Sequence, residues 1–172
     1  MVTLCIIVVV FSIVYIAILI YLLYALYAMF SGAPFVPTSH EKVRKMMDLV
    51  DLKKDEKLID LGSGDGRLVL AAAKECKQAT GVEISPLLYW VSKSKKLKTG
   101  TKNATFIRDT LWNIDLSDYD VVSIYFIPHW MNKLKKKIKK EMKPGSRVVS
   151  HAFTFPDWQH TAKDGSIYIY KV

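Results

Sequence analysis

An uninterrupted apolar segment at the start of the chain limits its fold more than any other feature. Residues 2–30 are almost all Ile, Val, Leu, Tyr, Ala, Phe and Met, and the first charged side chain is Glu41. A helix that crosses a bilayer needs about 20 apolar residues, so this segment is long enough for one tilted span. Every Lys, Arg, Asp and Glu lies after it. This division excludes a wholly soluble protein, a polytopic membrane protein and a disordered chain.

Two other interpretations of the apolar segment are a cleaved signal peptide and a buried core helix. A signal peptide has a basic start and an apolar core of about 7 to 15 residues. Here no Lys or Arg precedes the apolar run, which is about twice that length. A transmembrane anchor over residues 1–32 is therefore the favoured interpretation.

Basic residues after the span predict its orientation. They are Lys42, Arg44, Lys45, Lys53 and Lys54. Because cytoplasmic flanks carry the excess of Lys and Arg, the globular part should face the cytoplasm, or the matrix in a mitochondrion. The two cysteines, Cys5 and Cys76, cannot form a disulfide framework, which favours a reducing compartment.

The remainder divides into a short connecting region, residues 33–52, and a domain, residues 53–172. Two prolines in 33–39 predict a loop, and apolar residues at helical spacing predict an amphipathic helix over 40–52 with Ser39 as its N-cap. In the domain, predicted strands (58–62, 79–84, 104–108, 119–126, 146–153, 166–171) alternate with predicted helices (66–76, 86–98, 129–142). Such alternation predicts an α/β fold, a mostly parallel sheet with helices on both faces and an antiparallel last strand.

A glycine-rich turn after the first predicted strand is the strongest functional signal. It contains Asp60, Gly62, Ser63, Gly64, Asp65 and Gly66. Glycines let the backbone approach a ligand closely. The dinucleotide pattern requires a glycine where Arg67 stands, and the P-loop pattern is absent. Carboxylates at 60 and 65 would repel a diphosphate and attract a cation, which favours S-adenosylmethionine (SAM), a sulfonium and ammonium compound without phosphate.

Acidic and aromatic residues after the next two strands fit the same cofactor. Glu83 ends the second strand, where a carboxylate can accept both hydrogen bonds of a ribose diol, although NAD would use it too. Asp109 follows the third strand and is a candidate for the adenine amino group, with a loop cap as the alternative. Leu111 and Trp112 are candidates for packing on the adenine ring, with core packing as the alternative.

The chain resembles class I SAM-dependent methyltransferases, and among them the membrane-anchored lysine methyltransferases of the adenine nucleotide translocase and the ATP synthase c-subunit. The matching segments are 34–38, 58–67, 83–90, 109–112, 127–131 and 153–158, within residues 34–172. The resemblance implies a Rossmann-like sheet and methylation of lysine in a membrane or membrane-adjacent protein. One departure is that the short segment before the last strand leaves no room for the helix usual there.

Methyl transfer to an amine requires positioning and desolvation rather than a metal or a covalent intermediate. The histidines and Cys76 lack zinc-ligand spacing, so no metal site is predicted. Candidates for a lysine channel follow the fourth strand, where this fold carries its substrate-facing motif: Tyr125, Phe126, Pro128 and Trp130. Aromatic faces attract an ammonium, although ordinary packing is the alternative. Thr38 is a candidate to close over the methionine carboxylate, or simply a helix-capping residue.

The predicted helix at 129–142 carries a lysine run opposite an apolar stripe, and a second lysine cluster lies near 93–98. These lysines suit either a solvated face or anionic lipid. The net charge of +9 also suits phosphate, so a nucleic-acid methyltransferase is an alternative function. An anchor and the absence of an Asn-Pro-Pro motif after the fourth strand argue against it. A non-catalytic SAM-binding protein is the other alternative.

Overall fold

The computed structural model describes residues 2–31 and 35–172 of the chain. The chain divides into two units, Met1–Pro34 and Phe35–Val172. The sequence predicted that the anchor ends at residue 32 and that the connecting region begins at residue 33; this boundary lies outside the described residues. Pro34, the first residue of the family-matching segment 34–38, lies outside them too.

The first unit contains helix α1, Val2–Ser31. Its window Cys5–Leu23 is long and apolar enough to cross a membrane, by length and composition, and none of that window is buried. Side chains such as Phe11 (70% exposed) and Tyr15 (68% exposed) face outward all around it. A helix that is apolar on every side has no polar face to present to water.

The second unit is built on a seven-stranded sheet with the order β3-β2-β1-β4-β5-β7-β6. Its strands are β1 (Lys57–Leu61), β2 (Gln78–Val82), β3 (Ala104–Ile107), β4 (Val121–Ile124), β5 (Arg147–His151), β6 (Ala162–Asp164) and β7 (Ile167–Lys171). Strands β1 to β5 are parallel, and β7 runs antiparallel to both β5 and β6. The predicted mostly parallel sheet with an antiparallel last strand is confirmed.

The end of the sheet differs in detail from the expectation. Strand β6, a three-residue edge strand, was not predicted, because its Ala-Lys-Asp sequence has no apolar alternation. In the described part of the chain, no helix lies between β5 and β6. This agrees with the expected lack of room for one.

Helix α2, His40–Val50, covers one face of the sheet. The Ser39 hydroxyl accepts a hydrogen bond from the Lys42 N–H, so the predicted N-cap is confirmed. Its predicted apolar residues, Val43, Met46, Met47 and Val50, are all at most 3% exposed. The helix packs on α3, β5, β6 and β7, which makes it part of the same hydrophobic core as the sheet.

Helix α3, Arg67–Ala72, is shorter than predicted. The Asn103 side-chain amide donates hydrogen bonds to the carbonyl oxygens of Ala73 and Cys76 at 2.6 and 2.9 Å. In a longer helix, N–H groups of later residues would bond these carbonyl oxygens, and here the Asn103 amide replaces those donors. The helix can therefore end early and the chain can turn toward β2.

The two lysine-rich helices lie on opposite faces of the sheet. Ser92 of α4 (Pro86–Thr99) and Phe106 of β3 both lie beside Gly66. Phe106 belongs to the same hydrophobic core as the buried residues of α2, so α4 and α2 lie on the same face of the sheet. On α5 (Pro128–Glu141), Lys139 lies 4.8 Å from the Trp158 ring, which packs on Tyr170. Tyr170 neighbours the core residue Ile169 in β7 and therefore points to the other face.

Candidate active site

The glycine turn is held at the carboxyl ends of β1 and β2. The N–H groups of Gly62 and Ser63 both donate to the Val82 carbonyl at 2.9 Å. Gly62, Gly64 and Gly66 all have positive φ angles, of 85°, 55° and 78°. Such angles are unfavourable for most other residues, so the backbone path favours glycine at these positions.

Gly64 lies beneath an aromatic ring. A methyl group added at Gly64 would lie 2.7 Å from Cδ2 of Phe35, closer than carbon atoms approach. Phe35 is 47% exposed and belongs to the proline-containing segment before α2. This segment therefore crosses the glycine turn, as a covering element of a cofactor site would.

Gly66 is required by packing. A methyl group there would lie 2.6 Å from Cζ of Phe106 and 2.8 Å from Cβ of Ser92. Gly81 of β2 stands in a similar position, where a methyl group would lie 2.8 Å from Phe106 and 2.6 Å from the Ser63 hydroxyl. The absence of a side chain at Gly66, the third glycine of the turn, therefore lets α3 pack closely on α4 and β3. This packing role does not depend on a ligand.

Glu83 is placed directly against the glycine turn. Its Oε2 accepts a hydrogen bond from the Gly64 N–H at 2.8 Å, and its Oε1 accepts one from the Ser85 N–H at 2.7 Å. The side chain is buried, and burial raises its pKa while the N–H donors of Ser85 and Gly64 lower it. Each oxygen keeps a second lone pair, which can accept a hydrogen bond from one hydroxyl of a ribose diol.

Asp60 is the second acid of the site. It is buried in β1, in register with Gly81 of β2 and Ser123 of β4. Burial raises its pKa to about 7, and the nearby Glu83 carboxylate adds to this rise. Its charge therefore depends on what lies beside it, and a bound cation would favour the ionised form.

Asp65 does not present its charge to a ligand, which corrects the sequence-based expectation. Its carboxylate pairs with Arg67 through two hydrogen bonds and with Lys95 Nζ at 2.6 Å. Although burial opposes ionisation, these cations lower its pKa. Arg67 Nη1 also donates to the Thr38 carbonyl at 2.8 Å. Asp65 thus fastens the covering segment and α4 to the glycine turn.

The predicted adenine-side residues lie together after β3. Asp109 Oδ1 accepts hydrogen bonds from the Thr110 N–H at 2.6 Å and the Asn113 side chain at 2.9 Å. It therefore caps its own loop, and Oδ2 is the oxygen left for another partner. Leu111 begins a 3-10 helix, Leu111–Asn113, and is 7% exposed. Trp112 is half-buried with its ring 6.2 Å from Phe126 and 5.8 Å from Trp130.

The predicted substrate-side residues form two groups rather than one. Phe126 and Trp130 both contact Trp112, whereas the Tyr125 ring lies 4.4 Å from His151. Successive residues at a strand end point to opposite faces of the sheet, which separates Tyr125 from Phe126. Pro128 is exposed and begins α5.

His151 is a candidate site residue that was not predicted from the sequence. It ends β5 and is 4% exposed, and neither ring nitrogen has a hydrogen-bond partner among the described residues. Burial lowers its pKa, and Lys42 contributes to the lowering. Its position at the carboxyl end of a strand beside β4 was the available signal, because ligands bind at that edge of such sheets.

The donor set fits S-adenosylmethionine. Buried acids at positions 60 and 83 lie beside the turn, and the cations Arg67 and Lys95 are both paired with Asp65, an arrangement that suits a cation with a diol and disfavours a diphosphate. Over the described residues, no group of three or more His, Cys, Asp or Glu side chains could hold a metal ion.

Comparisons with known proteins agree with this site. The model of the ANTKMT methyltransferase domain matches residues 60–162. The ATP synthase c-subunit lysine N-methyltransferase of Mus musculus is 37% identical over 135 residues, which cover 77% of this chain and 54% of that protein. The chain thus spans about half the length of this relative. A protein-lysine N-methyltransferase of Saccharolobus islandicus is 37% identical over 128 residues, 73% of this chain and 80% of that protein.

A solved structure, an RNA methyltransferase of Salinibacter ruber in complex with S-adenosyl-L-homocysteine, superposes with a TM-score of 0.76. It is 32% identical and covers 79% of this chain and 93% of its own. The predicted class I methyltransferase fold and family are therefore confirmed. With its glycine turn, its acid at the end of β2 and its match over residues 60–162, this chain belongs to the ANTKMT methyltransferase family.

Proposed function

We propose that the chain is a SAM-dependent protein-lysine N-methyltransferase that acts on a membrane or membrane-adjacent protein. The observation that carries this proposal is that the buried Glu83 carboxylate accepts a hydrogen bond from the Gly64 N–H of the glycine turn, in a chain that belongs to the ANTKMT methyltransferase family. The lysine N-methyltransferase names of its mouse and Saccharolobus relatives support the acceptor.

Cofactor binding would use the residues around the glycine turn. Glu83 would accept hydrogen bonds from the ribose hydroxyls, and Asp109 would accept one from the adenine amino group. Leu111 and Trp112 would pack on the adenine ring. The turn from Asp60 through Gly62, Ser63 and Gly64 would hold the methionine part, with Gly66 setting the start of α3. Thr38, whose carbonyl is fixed by Arg67, would close over the methionine carboxylate. When bound, SAM supplies an electrophilic methyl group on a sulfonium sulfur.

The substrate side would have to provide a neutral amine. An ammonium has no free lone pair, so the substrate nitrogen must first release a proton to water; its lone pair can then form the new bond to the methyl carbon while the carbon–sulfur bond breaks and the thioether leaves. The Tyr125 ring would line the channel beside His151, and the separate group of Phe126 and Trp130, with Pro128, would shield the site from water, which favours the neutral form. The His151 imidazole, 4.4 Å from Tyr125 between ring centroids, would accept a hydrogen bond from the amine and hold its lone pair toward the methyl group.

Helix α1 would anchor the domain to a membrane, with the catalytic domain on the cytoplasmic side, or the matrix side in a mitochondrion. Its length and composition support an anchor, and the basic residues that follow it support the orientation. An anchor would raise the effective concentration of the domain near a substrate lysine at the bilayer surface.

A second candidate function is methylation of nucleic acid. The Salinibacter structure is described as an RNA methyltransferase, and the net charge of +9 suits phosphate. The anchor argues against it, as does the Ile-Pro-His-Trp sequence after β4.

Incubation of the full chain with methyl-labelled SAM, membranes from a strain lacking the gene, and total RNA tests both candidates. Lysine methylation predicts label in a membrane protein, mapped to a lysine by mass spectrometry. Gly64→Arg is the control, because its side chain would fill the cofactor position. Label in RNA alone would contradict the proposal, and binding of SAM without label in any substrate would indicate a non-catalytic binding protein.

A further inference from the structure

Helix α4 exposes large apolar side chains to solvent. Leu87 is 70% exposed, Trp90 63% and Leu97 85%. Elsewhere in the described part of residues 35–172, the exposed large apolar residues are Phe35 and Val36, which belong to the segment covering the glycine turn. Burying apolar side chains is the main driving force of folding, so such a group on one helix calls for a partner.

The three side chains form one stripe. Positions 87, 90 and 97 are separated by three and seven residues, which places them on the same face of a helix. The opposite face carries Ser92, fully buried against the sheet. The stripe therefore points directly away from the domain.

Lysines flank this stripe without any acidic neighbour on the helix. Sequence 86–99 contains Lys93, Lys95, Lys96 and Lys98 and no Asp or Glu. Lys95 is paired with Asp65, whereas Lys93 and Lys98 form no salt bridge within the described residues, and Lys93 Nζ lies 5.7 Å from the centre of the Tyr89 ring. Lys96 follows the buried Ser92 by four residues and therefore lies on the side of the helix that faces the domain. By helical geometry, Lys93 and Lys98 lie on either side of the stripe.

The lysine-rich helix α5 lacks this combination. Its apolar residues Met131, Leu134 and Ile138 are completely buried. Several of its lysines have partners within the domain: Lys133 on the Trp112 and Trp130 rings, Lys135 on the Pro156 carbonyl, Lys137 on Glu141 and Lys139 on Trp158. Of the two helices on opposite faces of the sheet, α4 alone offers apolar and basic groups together.

We propose that the outer face of α4 lies on an anionic lipid bilayer, with Leu87, Trp90 and Leu97 at the boundary of headgroups and acyl chains and Lys93 and Lys98 on lipid phosphates. Apolar and aromatic side chains beside lysines are the composition of helices that lie in the interface plane. The lysines complement an anionic surface. A second copy of this chain would bring like charges together, which disfavours self-association through this face. The inference does not depend on methyl transfer.

The position of Trp90 in a bilayer tests this inference. The full chain is reconstituted into nanodiscs that contain brominated phosphatidylcholine, with or without phosphatidylserine. Bromine quenches tryptophan fluorescence only at short range. Quenching should be stronger with phosphatidylserine, and Trp90→Phe should remove this increase, whereas Trp158→Phe should leave it. Trp158 is the control because it packs on Phe155 and Tyr170 within the domain.

Two charge-matched double variants test the lysines. Replacement of Lys93 and Lys98 by Glu should abolish the increase in quenching caused by phosphatidylserine. Replacement of Lys136 and Lys140 by Glu changes the net charge equally and should leave it. SAM binding by both variants establishes that they fold. An absence of Trp90 quenching, or equal loss in both variants, would overturn the proposal, and crosslinking through position 90 to a protein in place of lipid would do the same.

Discussion

The Gly64 N–H donates a 2.8 Å hydrogen bond to Oε2 of Glu83 across 19 residues of sequence. The bond joins the glycine turn after β1 to the acid that directly follows β2. The N–H groups of Gly62 and Ser63 reinforce this link through the Val82 carbonyl. Contacts that a ligand would make with the turn and with Glu83 are therefore expected to be coupled, because these hydrogen bonds hold the two parts together.

Replacement of Glu83 by Ala should weaken SAM binding by about 1 to 3 kcal/mol, because the ribose hydroxyls would lose an acceptor in a buried position. Calorimetric titration measures the loss. Glu75→Ala, at an exposed acid outside the site, is the control. Normal affinity in the Glu83 variant would place the ribose elsewhere.

Replacement of Gly64 by Ala should destabilise the domain more than Gly100→Ala. Both glycines have similar positive φ angles, of 55° and 64°, but only at Gly64 would the added methyl group overlap the Phe35 ring. The extra cost should be about 1 to 3 kcal/mol, as for other overpacked sites. Thermal denaturation in detergent compares the two variants. A Phe35→Ala change in the Gly64→Ala background should recover part of the extra loss, and equal costs at the two glycines would contradict this prediction.

Asp60 should make folding stability decrease with rising pH. Its pKa is about 7 in the folded chain and 3.8 in an unfolded one, so between these values the folded state holds a proton that the unfolded state has lost. Stability from this group is fully present below pH 3.8 and falls by up to about 1.4 kcal/mol per pH unit until pH 7. Denaturation midpoints of the wild type and Asp60→Asn at several pH values give the difference. A difference that does not change with pH would show that Asp60 ionises normally.

Replacement of His151 by Phe should slow lysine methylation by about 10- to 100-fold, because losing one buried hydrogen-bond partner costs about 1 to 3 kcal/mol and about 1.4 kcal/mol is a factor of ten in rate. SAM affinity should stay unchanged. Stability should not fall, because the variant removes two buried nitrogens that have no partner among the described residues and keeps a ring beside Tyr125. Single-turnover kinetics and thermal denaturation separate the two effects. His160→Phe, at an exposed histidine, is the control, and undiminished turnover in the His151 variant would exclude the proposed role.

Deletion of residues 1–32 should leave SAM binding intact and sharply lower methylation of a membrane substrate at low enzyme concentration. The anchor would act through effective concentration alone, so excess truncated enzyme should restore part of the activity. Labelled protein and labelled RNA are counted for both forms. Unchanged or increased labelling after truncation would favour a soluble substrate.

Local sequence predicted most of the fold. The apolar stripe of α2 and the Ser39 cap set that helix, because its buried face and its first N–H groups are satisfied by neighbours in sequence. The order of strands and helices followed from alternating apolar runs. The edge strand β6 was missed because it is held by pairing with β7 rather than by its own composition.

The sequence alone determined the carboxyl-edge position of Asp60, Glu83 and Asp109, because they lie within two residues of the carboxyl ends of β1, β2 and β3 in a parallel sheet. Only the tertiary structure decided which charges are available to a ligand. Asp65 resembles Asp60 in sequence, but Arg67 and Lys95 neutralise it, and Lys95 comes from 30 residues away. The same holds for His151, buried beside Tyr125 by the pairing of β4 with β5. Ionisation and accessibility depend on neighbours in space, which a linear pattern does not specify until the chain has folded.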